Sequence, residues 1–254
     1  MSITDNIKGM KLTHPPVVMA IFQIGFNHID SDLTSFLEFD SVIKHYFPKR
    51  SNQIQANVGV SSTLVEGISK ITSKSDAKLT GFNYSTDDDK QKLIYDEGFL
   101  TYVNELEYEG WDNFKQIVSH YLKMLSPFLE KHTIKRVSIR FINKFSLTEF
   151  EDPTVYFKTM VSTTEDGGFS YPLIRYAFRL RFTIPETERY AIVNQDLENV
   201  STDKYDYIFD IDVLDKRNHI FDHQSILETM EELRVIKNTI FFENITQKSI
   251  DLCN

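Results

Sequence analysis

Residues 134–147, IKRVSIRFINKFSL, lie at the centre of the chain, and the rest of the fold is read outward from them. Taken with a period of two, they place Val137, Ile139, Phe141, Phe145 and Leu147 on one face and Arg136, Ser138, Arg140 and Lys144 on the other. The pattern predicts a strand with one apolar and one cationic side. Asn143 falls on the apolar side, where a buried amide has to find partners. A backbone break or a neighbouring helix end is the expected one.

Upstream, VVMAIFQIGF at 17–26 is apolar on both faces and suits a strand in the middle of a sheet. Asp30, Ser31 or Asp32 can cap a helix running through about residue 46 and stopped by Pro48. Residues 54–67, 77–85 and 92–103 predict three strands of an antiparallel meander, with Asp87, Asp88 and Asp89 as a solvated hairpin tip rather than a metal cage. Phe114, Ile117, Val118, Tyr121, Leu122, Leu125, Phe128 and Leu129 follow helical spacing, so a helix is expected from a cap at Asp112 or Asn113 to about residue 131. Trp111 precedes it as an expected hydrophobic staple or wedge.

Downstream, the order of elements starts again. A short helix at 153–161, a break at Gly167 and Gly168, and strands at 171–184, 188–197 and 205–214 lead to a last helix. That helix is capped by Asp222 and carries Ile226, Met230, Leu233, Ile236, Ile240 and Phe241, with Thr246 as a second cap. The fold class expected is α+β: two tandem β-α-β-β-β-α repeats, 1–133 and 134–254, forming one antiparallel sheet backed by helices on one face. The duplication rests on element order alone.

Composition excludes several classes. With 254 residues, 41% hydrophobic and 20 Phe among them, the chain buries a large core and is not intrinsically disordered. A net charge of -9 disfavours broad nucleic-acid binding, which needs cations on phosphates. Cys253 is the only cysteine, expected at a frayed end, so neither a disulfide nor a thiolate metal cluster is expected. The first residues show no basic region followed by an apolar one, and no apolar run reaches the roughly 20 residues of a membrane span, so a cytoplasmic protein with no membrane contact is expected.

Three strands carry a charge pattern. Arg136, Arg140 and Lys144 share one polar face; Arg175, Arg179 and Arg181 share a second; Asp206, Asp210 and Asp212 share a third. One reading is an ion-pair ladder across neighbouring strands, worth roughly 0.2 to 1 kcal/mol per pair. The other leaves some of the six cations free to grip a phosphate, a nucleic-acid backbone or an acidic peptide, which makes them the candidate ligand-binding residues. His219 and His223 have the i, i+4 spacing of a metal pair but lie across the expected helix start, so no metal site is assigned. No phosphate loop, serine elbow or Cys-His pair is present, and no catalytic residue or cofactor is assigned.

Four short motifs resemble a sporadically distributed prokaryotic family of uncharacterised proteins of about this length. They are Pro16 and Val17; Tyr108, Trp111 and Phe114; Arg140, Phe141, Ile142 and Asn143; and Phe241, Ile245 and Thr246. The aromatic of the central motif is Tyr in the family and Phe141 here. The resemblance implies no established activity, and its patchy distribution suggests accessory or defence-linked genes. The function expected is therefore a non-enzymatic binding or interaction protein whose polar sheet face takes a protein partner or an anionic ligand. The alternative is a nucleotide- or phosphodiester-directed enzyme in which Arg140, Arg179 and Arg181 stabilise charge and Asp210 or Asp212 acts as base or metal ligand.

Overall fold

The computed structural model describes residues 12–27, 32–65, 68–96, 98–147, 153–158, 175–201 and 204–254. The first half runs β1 (Val17–Phe26), α1 (Asp32–Leu37), α2 (Asp40–Tyr46), β2 (Lys49–Val65), β3 (Ile68–Ser85), β4 (Gln91–Asp96), β5 (Phe99–Asn104), α3 (Trp111–Met124) and α4 (Ser126–Leu129). The second runs β6 (Thr133–Leu147), a 3-10 turn (Pro153–Val155), β7 (Arg175–Thr183), β8 (Arg189–Ser201), β9 (Lys204–Asp215), β10 (His219–Ile220), α5 (His223–Asn244) and α6 (Gln247–Asp251). The protein is α+β, with nine strands in one antiparallel sheet ordered β2-β3-β4-β5-β1-β6-β9-β8-β7. The short β10 pairs with the start of β6. No helix among the described residues is long and apolar enough to cross a membrane.

The stretch 134–147 forms most of β6 and lies next to β1 in the middle of this sheet. Ala20 faces Phe141 and Phe22 faces Ile139 across the pair. Alternation then fixes which residues share the covered face. Phe22, Tyr102, Leu93 and Tyr84 form one cross-strand row, and Ile24, Leu100, Tyr95 and Phe82 the next. All eight are buried. The helices close over them with aromatic contacts: Phe36 of α1 stacks on Tyr95 at 4.3 Å, Phe128 of α4 meets Phe26 at 5.7 Å, and Phe114 of α3 meets Phe141 at 5.5 Å. Phe241 of α5 stacks on Phe209 of β9 at 5.9 Å. Each such ring contributes roughly 1.5–3 kcal/mol by leaving water.

Several expected elements differ in detail. Residues 92–103 are a hairpin, β4 and β5, rather than one strand, because Gly98 takes a φ of 87° and turns the chain. The meander of the first half therefore has four strands rather than three. The helix expected through residue 46 is two short helices meeting near Phe39, and residues 30 and 31 lie outside the described residues. The long helix starts at Trp111, capped by Gly110 rather than by Asp112 or Asn113, and breaks at Leu125 ahead of Pro127. The short helix expected from 153 is a single 3-10 turn as far as it is described, and residues 167, 168 and 171–174 lie outside. Cys253 is not frayed: it is buried, its thiol pushed up to about 11 by burial, and its carbonyl accepts a bond from the His14 N–H at 2.7 Å. Asp222 caps α5 as expected, accepting from the Ser225 N–H at 2.7 Å.

The β2–β3 ribbon has two parts. Gly81 to Ser85 also pair with β4, whereas residues 54–79 pair only across the ribbon itself among the described residues. Where the two parts meet, the register shifts between Gln53 and Ile54, opposite Thr80, and a Cβ on Gly81 would stand 2.0 Å from the Tyr95 carbonyl oxygen. Backbone cannot yield there as a side chain would. Gly81→Ala is expected to cost about 1–3 kcal/mol or more in urea unfolding. An unchanged midpoint would mean that the β3–β4 approach is looser than described.

At the far end of β9 a fully buried carboxylate, Asp215, joins three elements. It accepts from Arg189 of β8 at 3.0 Å and from Arg217 at 2.6 Å, while its Oδ1 accepts from the Arg217 N–H at 2.9 Å. Arg189 also reaches Glu232 of α5. Burial works to raise this carboxyl, but the bonds from Arg217 and Arg189 outweigh it and bring it to about 2.

Candidate functional site

The six cations of the sequence pattern lie on the sheet face opposite the helices, and most have partners there. Arg140 grips Asp210 with two bonds of 2.8 and 2.6 Å, and Asn194 donates to the same carboxylate at 2.7 Å. Lys144 pairs with Asp206 at 2.7 Å, Arg136 with Asp212 at 3.4 Å and Arg175 with Asp196 at 2.7 Å. Arg181 lies over the Tyr190 ring at 4.6 Å. Only Arg179 has neither a carboxylate bond nor a ring partner among the described residues, although its charge acts on Asp212. It borders a shallow depression shared with Arg140, Asn194 and Asp210. Asp206, Asp210 and Asp212 thus each have a cationic neighbour, while Oδ1 of Asp212 is buried without a hydrogen bond among the described residues. Burial raises Asp212 despite Arg136 and Arg140 beside it.

A well-formed cavity of about 430 Å³ lies on the other face, between α5, the turn before α3, the segment leading into β1 and the middle of β6. Sequence brings these parts together locally. Pro15 and Pro16 restrict the backbone just before β1, and the Pro16 carbonyl accepts the Lys144 N–H at 2.8 Å, which fixes this wall against β6. Gly110 turns the opposite wall at a φ of 108°, a conformation that a Cβ would strain although nothing crowds the position. Trp111 is then anchored through its indole N–H, which donates to Glu231 at 2.8 Å, while Lys115 donates to the same oxygen at 2.7 Å. Burial would raise Glu231; the bonds from Lys115 and Trp111 keep it below its usual range. Arg234 lies over the Trp111 ring at 5.2 Å and reaches Glu231 at 3.3 Å.

Three groups inside this cavity lack partners among the described residues. The Lys237 ammonium has no carboxylate or hydrogen bond there; it lies over the Phe141 ring, 4.4 Å from Nζ to the centroid. Burial, helped by the positive charge of Arg234, lowers its pKa to about 7. Asn143 is 3% exposed and donates to the Phe209 carbonyl of β9 at 2.8 Å rather than to a helix end, it sits beside the register shift between Val17 and Met19 of β1, and its Oδ1 accepts nothing among the described residues. The Tyr108 hydroxyl is unpaired and raised by burial, its ring edge-on to Phe141 at 5.6 Å. Residues bearing an amine, an amide oxygen and a phenol therefore line one space together with Trp111, Phe241 and Phe242, an arrangement that can bind an acid or expose a neutral amine.

All four motifs behind the family resemblance contribute to these walls: Pro16 and Val17, Tyr108 and Trp111, Asn143, and Phe241. Lys237 is the residue that reading strand charges missed. Ile226, Met230, Leu233 and Phe241 step along the apolar stripe of α5, and Lys237 occupies the position between the last two, so a lysine interrupting a helix's buried face was the available signal.

The remaining clusters carry no comparable chemistry. Ser119 Oγ lies 3.0 Å from Nε2 of His223, but the same nitrogen is 3.3 Å from the Ser119 carbonyl, which fits an N–H brace between α3 and α5. No group of three metal-ligating side chains occurs among the described residues. Lys237, Tyr108 and Asn143 are therefore the candidate site. A scan against protein-family models matches none, and a search of curated proteins finds no relative.

Proposed function

We propose that this is a binding protein whose site is the Lys237 cavity, and that its ligand is a small molecule carrying an acidic group. The observation that carries the reading is a half-buried cation with no counter-ion among the described residues, beside an unpaired amide oxygen and phenol. A ligand carboxylate or phosphate would supply the missing counter-ion, and rings on either side would hold its body. The cavity volume suits a metabolite-sized molecule. The test is thermal unfolding at pH 7 with propionate, benzoate or inorganic phosphate, against propionamide and benzamide. A ligand at a hundred times its Kd stabilises by about 2.7 kcal/mol, a shift of several degrees. Acids should shift wild type and not Lys237→Met. Equal shifts from acids and amides, or none from any probe, would reject the reading.

A second reading, an anionic partner on the open sheet face, is favoured by Arg179 alone. Prokaryotic family membership, a cytoplasmic setting and descent of the two halves from one duplicated unit complete the picture we propose. The last is supported by the way each half returns its final long strand, β5 or β9, to pair with its first, β1 or β6.

A further inference from the structure

We propose that Lys237 captures its ligand covalently and reversibly, its Nζ condensing with the carbonyl carbon of a small oxo acid to form an imine. The proposal rests on the cavity being an acid-binding site and adds the reaction that happens there. Carbonyl addition needs an amine lone pair free of both proton and hydrogen bond. A solvated lysine near pH 10.4 offers about one neutral amine in a thousand at neutral pH, whereas a desolvated one beside another cation offers a large share. Lys237 meets both conditions, with Arg234 one turn away on the same helix, the Phe141 ring beside Nζ and no acceptor on Nζ among the described residues. The other charged or titratable groups at the cavity are Tyr108, Glu109 and Asp112 from the facing turn. Glu109 accepts from the Asn113 amide at 2.8 Å, and Asp112 is exposed at the rim, so neither neutralises the amine.

The step balances without an oxidant or reductant. The Nζ lone pair bonds to the carbonyl carbon as the C=O π pair moves to oxygen, and a proton passes from nitrogen to that oxygen to give a carbinolamine. A second proton, from the Tyr108 hydroxyl or through water, lets the oxygen leave as water while the nitrogen lone pair closes the C=N bond. Loss of the remaining N–H proton restores the tyrosine and leaves the imine. Amine and carbonyl have become imine and water.

The experiment is reductive trapping of the whole chain with pyruvate or glyoxylate and cyanoborohydride at pH 7.5, followed by peptide mapping. Lys237 should be alkylated about tenfold faster or more than exposed Lys123 and Lys131, and the excess should fall away at pH 5.5. Propionate, which has no carbonyl to attack, should protect Lys237. Lys237→Arg should lose the adduct while the exposed lysines label as before; Tyr108→Phe should slow trapping by a larger factor than it weakens propionate protection. Alkylation spread evenly over the lysines, or unchanged rates in Tyr108→Phe, overturns the imine or the tyrosine's part in it, respectively. If propionate binds but no oxo acid labels Lys237, the imine falls and the acid site stands. If Lys237 is labelled but propionate neither shifts nor protects, the acid site falls and the reactive amine stands.

Discussion

Lys237→Met is expected to make the protein more stable at pH 6 than wild type, with the gain shrinking as the pH rises toward 10. In the folded protein the amine titrates near 7, against 10.5 when solvated, so below pH 7 folding has to enclose a full charge. Between pH 7 and about 10 the unfolded chain holds a proton that the folded one has released, and wild-type stability climbs with pH. The difference is bounded at about 5 kcal/mol by 1.36 kcal/mol per pH unit. Methionine fills similar volume on the apolar stripe without the charge. Urea unfolding of both proteins at pH 6 and pH 10 checks the sign. A mutant that is less stable at pH 6 would mean that the ammonium has a partner after all. A binding group held at the expense of stability is the common pattern at functional sites.

Asp215→Asn should be the most damaging single substitution outside the hydrophobic core, costing about 3–5 kcal/mol at pH 7, because it removes the carboxylate that Arg189 and Arg217 enclose. The sign with pH is opposite to that of Lys237. The folded carboxyl at about 2 lies below its solvated value, so its contribution is complete above about pH 5 and is lost as pH falls toward 2. Urea midpoints of mutant and wild type should therefore differ widely at pH 7 and converge near pH 2.5. A constant gap across that range would assign the loss to shape rather than to charge.

What could be read from the chain followed residue chemistry that acts locally. The period-two pattern of 134–147 gave the correct buried and polar faces of β6, because alternation is a property of the strand itself. The Asp222 cap was legible for the same reason. The hairpin inside 92–103 was not, since Gly98 differs from a strand glycine only in its φ, and the two strands it joins are each apolar enough to read as one. The site was harder still. Strand charges drew attention to the open sheet face, where the register of β6 against β9 turned out to satisfy most of them. Lys237 and Tyr108 are 129 residues apart and meet only through the packing of α5 over β6, so no local pattern could pair them. Asn143 stood out as a polar residue on an apolar face; its free oxygen depends on which backbone carbonyl its amide reaches.

The position of β7 gives the arginines on that strand a further meaning. It is the outermost described strand on its side of the sheet, so its backbone groups face outward as a template on which another chain could extend the ladder. Arg175 is balanced by Asp196, but Arg179 and Arg181 keep their charge. A second copy approaching edge to edge would bring its own pair of guanidinium groups against these two, and the repulsion would meet it before any backbone bond formed. On this view the surplus positive charge guards the protein against fibrous self-association, which would hold whether or not the open face ever receives a ligand.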